Sequence, residues 1–220
     1  MHNQLSMSYL RDATGVLLLY AVSDEGSLTY LRKWIQRIDQ EVKSIVKCIL
    51  VGTQCDVADS ERQVTTAQGQ KFADEFGMQF FEASAKLDIN VDAAFFSITQ
   101  DIIRQFGGAE QLKAEIAKKA KSTKKGSLQN LFSYKPLGIC GSGYSPDSPD
   151  SYHIRCKLVL IGKENGGMCQ LFNDRFTKNS YEPHMSICIG ENYGCKELIV
   201  DGLRVQVRNR RNRNATIALV

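Results

Sequence analysis

The stretch LIGKENGGMCQLF, residues 160–172, decides how this chain folds. An apolar run at 157–161 predicts a strand, and glycines follow it at Gly162, Gly166 and Gly167, just before a predicted helix start. A strand that runs through a glycine-spaced turn into a helix directs backbone N–H groups at an anion. The stretch therefore predicts an α/β unit with the outline of a phosphate-binding loop.

The positive charge of such a loop is missing. In the pattern G-x-x-x-x-G-K-[ST] the lysine contacts the phosphates and the hydroxyl contacts Mg²⁺, but Met168 and Cys169 occupy these two positions. A charge-assisted hydrogen bond of the kind that lysine makes is worth about 1.5–3 kcal/mol. Cys169 is a weak candidate for a metal ligand because Mg²⁺ prefers oxygen. The sequence thus predicts weakened phosphate binding, supported by backbone donors alone.

Composition is that of an ordinary globular protein. The chain has 220 residues, of which 43% are hydrophobic and 24% charged, enough for one sizeable core or two small ones. No apolar stretch approaches the roughly 18 residues that a membrane span needs, and the N-terminus lacks the apolar core of a signal peptide. Seven cysteines occur without a C-x-x-C pair, so we expect free thiols in a cytoplasmic protein.

Charge is distributed unevenly along the chain. Residues 1–107 carry ten basic and fourteen acidic side chains, whereas residues 108–220 carry eighteen basic and ten acidic ones. The basic excess lies in two runs, at 113–125 and 204–213. Neither run is interleaved with aromatic residues, so a solvated surface is favoured and nucleic acid is not expected as a partner.

Strand and helix patterns alternate in two parts of the chain. Strands are predicted at 15–22, 47–52 and 78–84, and amphipathic helices follow the first two strands and begin again at Val91. After a Gly-, Pro- and Ser-rich stretch, the strand before the glycine turn is joined by two further strands around an Asp201-Gly202 hairpin turn.

Three segments of the first part carry a resemblance to a known family. These are SYLRDATGVLLLYAVSDEGSLTYLRKWIQRI, ILVGTQCDV and FFEASAKLDINVDAAFFSITQDI, which resemble the second half of a Rab-type small GTPase of the Ras superfamily. The later stretch HIRCKLVLIGKENGGMCQLFNDRFTKNSYEPHMSICIGENYGCKELIVDGLRVQV resembles the first half. The resemblance implies a three-layer, P-loop NTPase-like α/β sandwich, with a mostly parallel six-stranded sheet and helices on both faces.

The two halves stand in reversed order. We expect a C-terminal GTPase half at 1–107, a basic and Gly/Pro/Ser-rich linker at 108–151, an N-terminal half at 152–207 and a basic tail at 208–220. Two origins remain open, a circularly permuted domain and a truncated tandem protein. The tandem is preferred because both chain ends fall in the same family segment. In either case the two halves are expected to share one sheet.

The resemblance also assigns a base pocket. Thr53, Gln54 and Asp56 fall on the N-K-x-D pattern of the family, where only the aspartate is kept. An aspartate carboxylate can accept hydrogen bonds from N1–H and the 2-amino group of guanine, a pair that adenine does not present. The family's S-A-K loop is matched intact and adds its three residues to the predicted cofactor-binding set, namely Ser84, Ala85 and Lys86.

Other parts of the family's machinery are lost. Cys188 stands at the position of a switch threonine and is the second weak metal candidate, so binding of Mg²⁺ is doubtful. The residues at 211–214 replace the D-T-A-G part of a D-T-A-G-Q motif, whose glutamine orients the attacking water, and no residue is assigned a catalytic role. Hydrolysis of GTP by this chain alone is therefore not expected, although the chain resembles a small GTPase. No prenylatable cysteine ends the chain, so no membrane anchor is expected.

We expect a Rab-like protein that binds GTP or GDP weakly, or has lost this binding. By resemblance it would be a switch in vesicle trafficking, with effector proteins as partners, located in the cytoplasm or at the periphery of endomembranes. The alternative is a pseudo-GTPase that acts as a protein-binding module, or a non-functional fragment.

Overall fold

The computed structural model describes residues 10, 13–41, 46–122, 138–139, 154–163, 167, 170–181 and 193–210. Strands and helices alternate over residues 15–105, as the sequence predicts, and a π-helix lies in the second part of the chain. The strands are β1 (Gly15–Ala21), β2 (Lys47–Thr53), β3 (Gln79–Ala83), β4 (Gly138–Ile139), β5 (Ile154–Gly162), β6 (Tyr193–Val200) and β7 (Leu203–Arg210). The helices are α1 (Glu25–Glu41), α2 (Thr66–Glu75), α3 (Val91–Gln105), α4 (Gly108–Ser122) and the π-helix (Gln170–Phe176).

The strands of both halves form one sheet in the order β3-β2-β1-β5-β7-β6. Strand β5 lies parallel to β1, with Gly15 opposite Leu158 and Leu19 opposite Gly162. Only the β6–β7 hairpin and the two-residue β4, which pairs with β5, are antiparallel. The predicted six-stranded, mostly parallel sheet is therefore confirmed, and β4 is a short addition to it.

Helices cover both faces of the sheet. All seven residues of β1 are buried, and because successive side chains of a strand point to opposite faces, they enter two separate cores. Leu17 and Leu19 pack in the core that includes α3 and the π-helix. Val16, Leu18 and Tyr20 pack in the core that includes α1 and α2. This three-layer arrangement is that of a P-loop NTPase-like α/β fold.

Side chains also join the two halves beneath the sheet. The rings of Phe95 on α3 and Phe176 on the π-helix stack with a centroid distance of 3.9 Å. Lys196 on β6 places its Nζ 2.6 Å from an Asp92 carboxylate oxygen and 4.6 Å from the Phe176 ring centroid. Aromatic stacking and a cation over a ring face each add modestly to the burial of apolar area.

Two elements extend into the stretches assigned to the linker and the tail. Helix α4 begins at Gly108, in the lysine-rich first part of the linker stretch, and the positive φ angles of Gly107 and Gly108, 93° and 81°, separate it from α3. Strand β7 continues to Arg210, into the stretch predicted as basic tail. The hairpin turn lies where it was predicted, with Asp201 and Gly202 both at positive φ, as a type I′ turn requires.

Helix α2 contains a glycine that leaves room for a buried phenol. A Cβ at Gly69 would lie 2.3 Å from the Tyr20 hydroxyl oxygen and 2.6 Å from the Phe80 ring. We expect Gly69→Ala to lower the free energy of unfolding by about 1–2 kcal/mol, because overpacking costs more than the helix propensity of alanine returns. Urea unfolding measures this difference.

The matched control is the double variant Gly69→Ala with Tyr20→Phe. It removes the closer of the two clashing atoms, a hydroxyl oxygen that is buried and has no hydrogen-bond partner among the described residues. We expect the double variant to recover part of the lost stability. An alanine at position 69 that leaves stability unchanged or raises it would contradict the close approach.

Candidate functional site

The predicted site residues gather at one edge of the sheet. Strands β1, β2, β3 and β5 are mutually parallel, so their carboxyl ends meet at this edge. In open α/β sheets ligands bind outside the carboxyl ends of the strands. Three segments contribute described residues here: the aspartate loop (residues 53–56), the SAK loop (residues 84–88) and the glycine loop (residues 162–169), of which residues 162, 163 and 167 are described.

The aspartate loop is anchored to the end of β1. Thr53 is buried, and its Oγ1 donates to the backbone oxygen of Tyr20 at 3.0 Å. Gln54 adopts a positive φ of 61°, and its Oε1 accepts a hydrogen bond from Ser23 Oγ at 3.1 Å. These contacts fix the loop although the family's asparagine and lysine are absent from it.

The glycine loop packs against the aspartate loop. A Cβ at Gly167 would lie 3.4 Å from Thr53 Oγ1 and 4.0 Å from Gln54 Nε2, and Gly167 has a φ of 67°. At Gly162 a Cβ would meet the backbone oxygen of Leu19 at 2.5 Å. Glycine is therefore required at both positions, by close approach at Gly162 and by backbone conformation at Gly167.

Asp56 of the aspartate loop and Lys86 of the SAK loop form an ion pair. Lys86 Nζ lies 4.0 Å from Asp56 Oδ2, and the two side chains are 61% and 13% exposed. An ion pair with so exposed a partner contributes little, about 0–1 kcal/mol. The Asp56 carboxylate is thus mostly buried and is only weakly engaged by Lys86.

The SAK loop is closed by its own hydrogen bonds. Ser84 and Ile89 exchange two backbone hydrogen bonds of 3.0 Å, and Ser84 Oγ accepts from the N–H of Leu87 at 3.0 Å. Asp88 and Asn90 both adopt left-handed backbone conformations. Ser84 is fully buried, and its hydrogen bonds to Leu87 and Ile89 fix the conformation of the loop.

Two arginines that the sequence did not single out hold these loops. Arg62 donates to both carboxylate oxygens of Glu82 at 2.7 and 3.2 Å and to the backbone oxygen of Cys55 at 3.4 Å. Arg175, from the π-helix, donates to the backbone oxygens of Ala85 and Lys86. Neither arginine belongs to a motif, so only the assembled fold identifies them.

Lys163 in the glycine loop forms an ion pair with Asp24. Its ammonium lies 2.9 Å from Asp24 Oδ2, in the loop that follows β1. The hydrogen bond from Lys163 lowers the pKa of the Asp24 carboxyl below its ordinary value of 3.8. Asp24 also accepts a hydrogen bond from the backbone N–H of Ser27 in the first turn of α1, which stabilises the helix N-terminus.

Eight of the predicted site residues are thus brought together at the edge of the sheet. They are Thr53, Gln54, Asp56, Ser84, Ala85, Lys86, Gly162 and Gly167. Four others lie outside the described residues, namely Gly166, Met168, Cys169 and Cys188. Among the residues that are described, no group of three or more His, Cys, Asp or Glu side chains could hold a metal ion.

The described cysteines Cys48, Cys55, Cys156 and Cys195 are free thiols. Burial raises the pKa of Cys55 in the aspartate loop, so this thiol stays protonated at neutral pH. No helix of the described residues is long and apolar enough to cross a membrane.

Comparisons with known proteins agree with the first half of the chain. The sequence profile of the Ras family matches residues 1–104. Ras-related protein RAB1BV of Beta vulgaris is 44% identical over 106 residues, which cover 48% of this chain and 49% of that protein. Ras-related protein RABE1d of Arabidopsis thaliana is 46% identical over 98 residues, covering 44% and 45%. GTP-binding protein ypt2 of Schizosaccharomyces pombe is 44% identical over 106 residues, covering 48% and 52%.

The sheet and the loops at its edge define the class of protein, an α/β protein of the P-loop NTPase type. Within that class residues 1–104 match the Ras family, and the relatives of this segment are Rab-type and other GTP-binding proteins by name. The chain spans about half the length of the curated relatives that it matches.

The pair between Lys163 and Asp24 predicts a pH-dependent stability. The pKa of Asp24 is lower in the folded state, so its contribution is present above the unfolded value and is lost as the pH falls through the folded pKa. Both side chains are about one-third exposed. We therefore expect Asp24→Asn to cost less than about 1 kcal/mol at neutral pH and nothing in strong acid.

Urea unfolding of both proteins from about pH 7 down to about pH 2 measures this convergence. The exposed variant Asp59→Asn controls for the change in net charge. A deficit of Asp24→Asn that persists unchanged in acid would mean that the charge of Asp24 is not the stabilising feature.

Proposed function

We propose that this chain binds guanine nucleotides through the aspartate and SAK loops. The observation that carries the proposal is that Asp56 and Lys86 lie together at the carboxyl edge of a shared sheet, where Gly167 of the other half packs against Thr53 of the aspartate loop. Asp56 offers two carboxylate oxygens to N1–H and the 2-amino group of guanine. Ser84, Ala85 and Lys86 form the neighbouring wall of the base pocket, and Thr53 and Gln54 form its floor.

The phosphates contribute less in this proposal than the base does. Gly162, Gly166 and Gly167 supply backbone N–H donors, whereas Met168 takes the position of the lysine. Lys163 is engaged by Asp24, so moving it to a phosphate would break an existing ion pair. The affinity for GDP or GTP is therefore weak. Its dependence on Mg²⁺ is weak as well, because Cys169 and Cys188 are poor ligands for a hard cation.

The cellular role follows from the family of the first half. We propose that the chain acts as a Rab-like protein in vesicle trafficking, with guanine nucleotide and trafficking effector proteins as its partners. We place it in the cytoplasm, at the periphery of endomembranes. Fractionation of cells that express a tagged chain tests this placement. We expect the chain in the cytosolic and endomembrane fractions, and equal amounts in the membranes of all organelles would argue against it.

Titration of the whole chain with a fluorescent GDP analogue tests nucleotide binding. We expect saturation in the micromolar to millimolar range, and we expect Asp56→Asn to weaken binding by about tenfold or more, because a charge-assisted pair of hydrogen bonds to the base is lost. Asp59→Asn, an exposed position three residues further on, is the matched control. No saturation at millimolar analogue, or equal effects of the two variants, would remove guanine from the proposal.

A second variant restores the missing charge. We expect Met168→Lys with Cys169→Thr to raise the affinity for the GDP analogue about tenfold or more and to make binding depend on Mg²⁺, because it supplies a cation and a hydroxyl ligand. The measurement is the same titration with and without a chelator. An unchanged affinity would mean that the glycine loop does not face the base pocket.

A further inference from the structure

Arg175 connects the SAK loop to the other half of the chain. Its Nε donates to the backbone oxygen of Ala85 at 2.7 Å and its Nη2 to that of Lys86 at 3.2 Å. Its third nitrogen, Nη1, donates to Asn179 Oδ1 at 3.4 Å. All three guanidinium nitrogens are therefore used, and the side chain is only 15% exposed.

The two carbonyl groups belong to residues of the proposed base pocket. Ala85 and Lys86 lie between Ser84, which is buried, and Asp88, which has a φ of 58°. A non-glycine residue in the left-handed region is held there by its surroundings. Asp88 Oδ1 lies 3.8 Å from Arg175 Nε, so the same guanidinium contacts three residues of the loop.

The planar fork of arginine suits this task. Its donors have fixed relative directions, so two adjacent carbonyl groups can be bound only in one arrangement. Lysine would supply a single charged donor group on a flexible stem. The geometry of the loop thus depends on the type of side chain at position 175 as well as on its charge.

Arg62 offers an instructive comparison. It binds the backbone oxygen of Cys55 in the aspartate loop while pairing with Glu82, and all three residues lie in the first half of the chain. The aspartate loop is therefore supported from within its own half. The SAK loop is supported by the π-helix that follows the glycine loop, about 90 residues away.

We propose that Arg175 is the positioning residue of the SAK loop, so that the base-recognition geometry of residues 84–86 depends on the half of the chain that carries the glycine loop. The expected effect on nucleotide affinity rests on the proposed function, whereas the expected effect on the geometry of the SAK loop does not. Arg175 does not touch the base. It acts by holding the backbone of the residues that do.

The test compares Arg175→Met and Arg175→Lys in the full chain with the control Arg104→Met, which removes an exposed arginine of α3 that pairs only within its own helix. Two quantities are measured for each variant. The first is amide hydrogen exchange at Ser84, Leu87 and Ile89, relative to exchange in β2. The second is the affinity for the fluorescent GDP analogue.

We expect Arg175→Met to accelerate exchange at the three loop amides about tenfold or more while leaving β2 at its original rate, because the loop opens without the sheet. Affinity for the analogue falls by a similar factor. Arg175→Lys gives an intermediate effect on both, and Arg104→Met gives none. This rescue by a weaker donor separates positioning from a general loss of packing.

Two results would overturn the proposal: unchanged exchange in the SAK loop of Arg175→Met, or acceleration in β2 equal to that in the loop. If the unmodified chain does not bind the analogue, the proposed nucleotide function fails. The hydrogen-exchange rates alone then decide whether Arg175 positions the SAK loop.

Discussion

The backbone pairing between β1 and β5 is the interaction on which the rest of the structure depends. Every residue of β1 is buried, and buried backbone N–H and C=O groups must be paired. One edge of β1 is satisfied by β2, and the other by five residue pairs with β5, from Gly15 opposite Leu158 to Leu19 opposite Gly162. Thr14 extends this seam, since its backbone N–H and its hydroxyl both donate to the Lys157 carbonyl.

The register of this seam also sets the geometry of the candidate site. A one-residue slip would move every side chain of β5 to the other face of the sheet, so Leu158 and Leu160 would leave the core that holds Phe95. The correct register ends β5 at Gly162, directly beside Leu19. Five residues after Gly162, Gly167 lies against Thr53 of the aspartate loop.

Much of this arrangement could be predicted from the sequence. The apolar run of β1 and the Asp201-Gly202 turn are local signals, and the structure has both. The contacts of Arg62, Lys163 and Arg175 could not be predicted in the same way. Each contact joins a charged side chain to a partner elsewhere in the sequence. In two of the three cases the partners include backbone oxygens, and because every residue type has one, the sequence does not identify the acceptor. From the sequence alone, a charged residue outside a motif is assigned to the solvated surface, because its hydrogen-bond acceptor is known only once the fold is known.

The same contacts explain how the fold can persist without the lysine that the phosphate-loop pattern places at position 168. The stability of the chain comes from two apolar cores, and the loops at the carboxyl edge add little to either. The described cations in these loops or in contact with them are bound to other protein groups: Lys163 to Asp24, Arg62 to Glu82, and Arg175 to two carbonyl oxygens. They maintain the shape of the loops and are costly to redirect, because each would leave a partner unsatisfied. Lys86 is the exception, since its ammonium is mostly exposed and lies beside Asp56. In the proposed function, recognition at this edge is therefore weighted toward the base, where shape and one carboxylate suffice, and away from the phosphates, where charge is required.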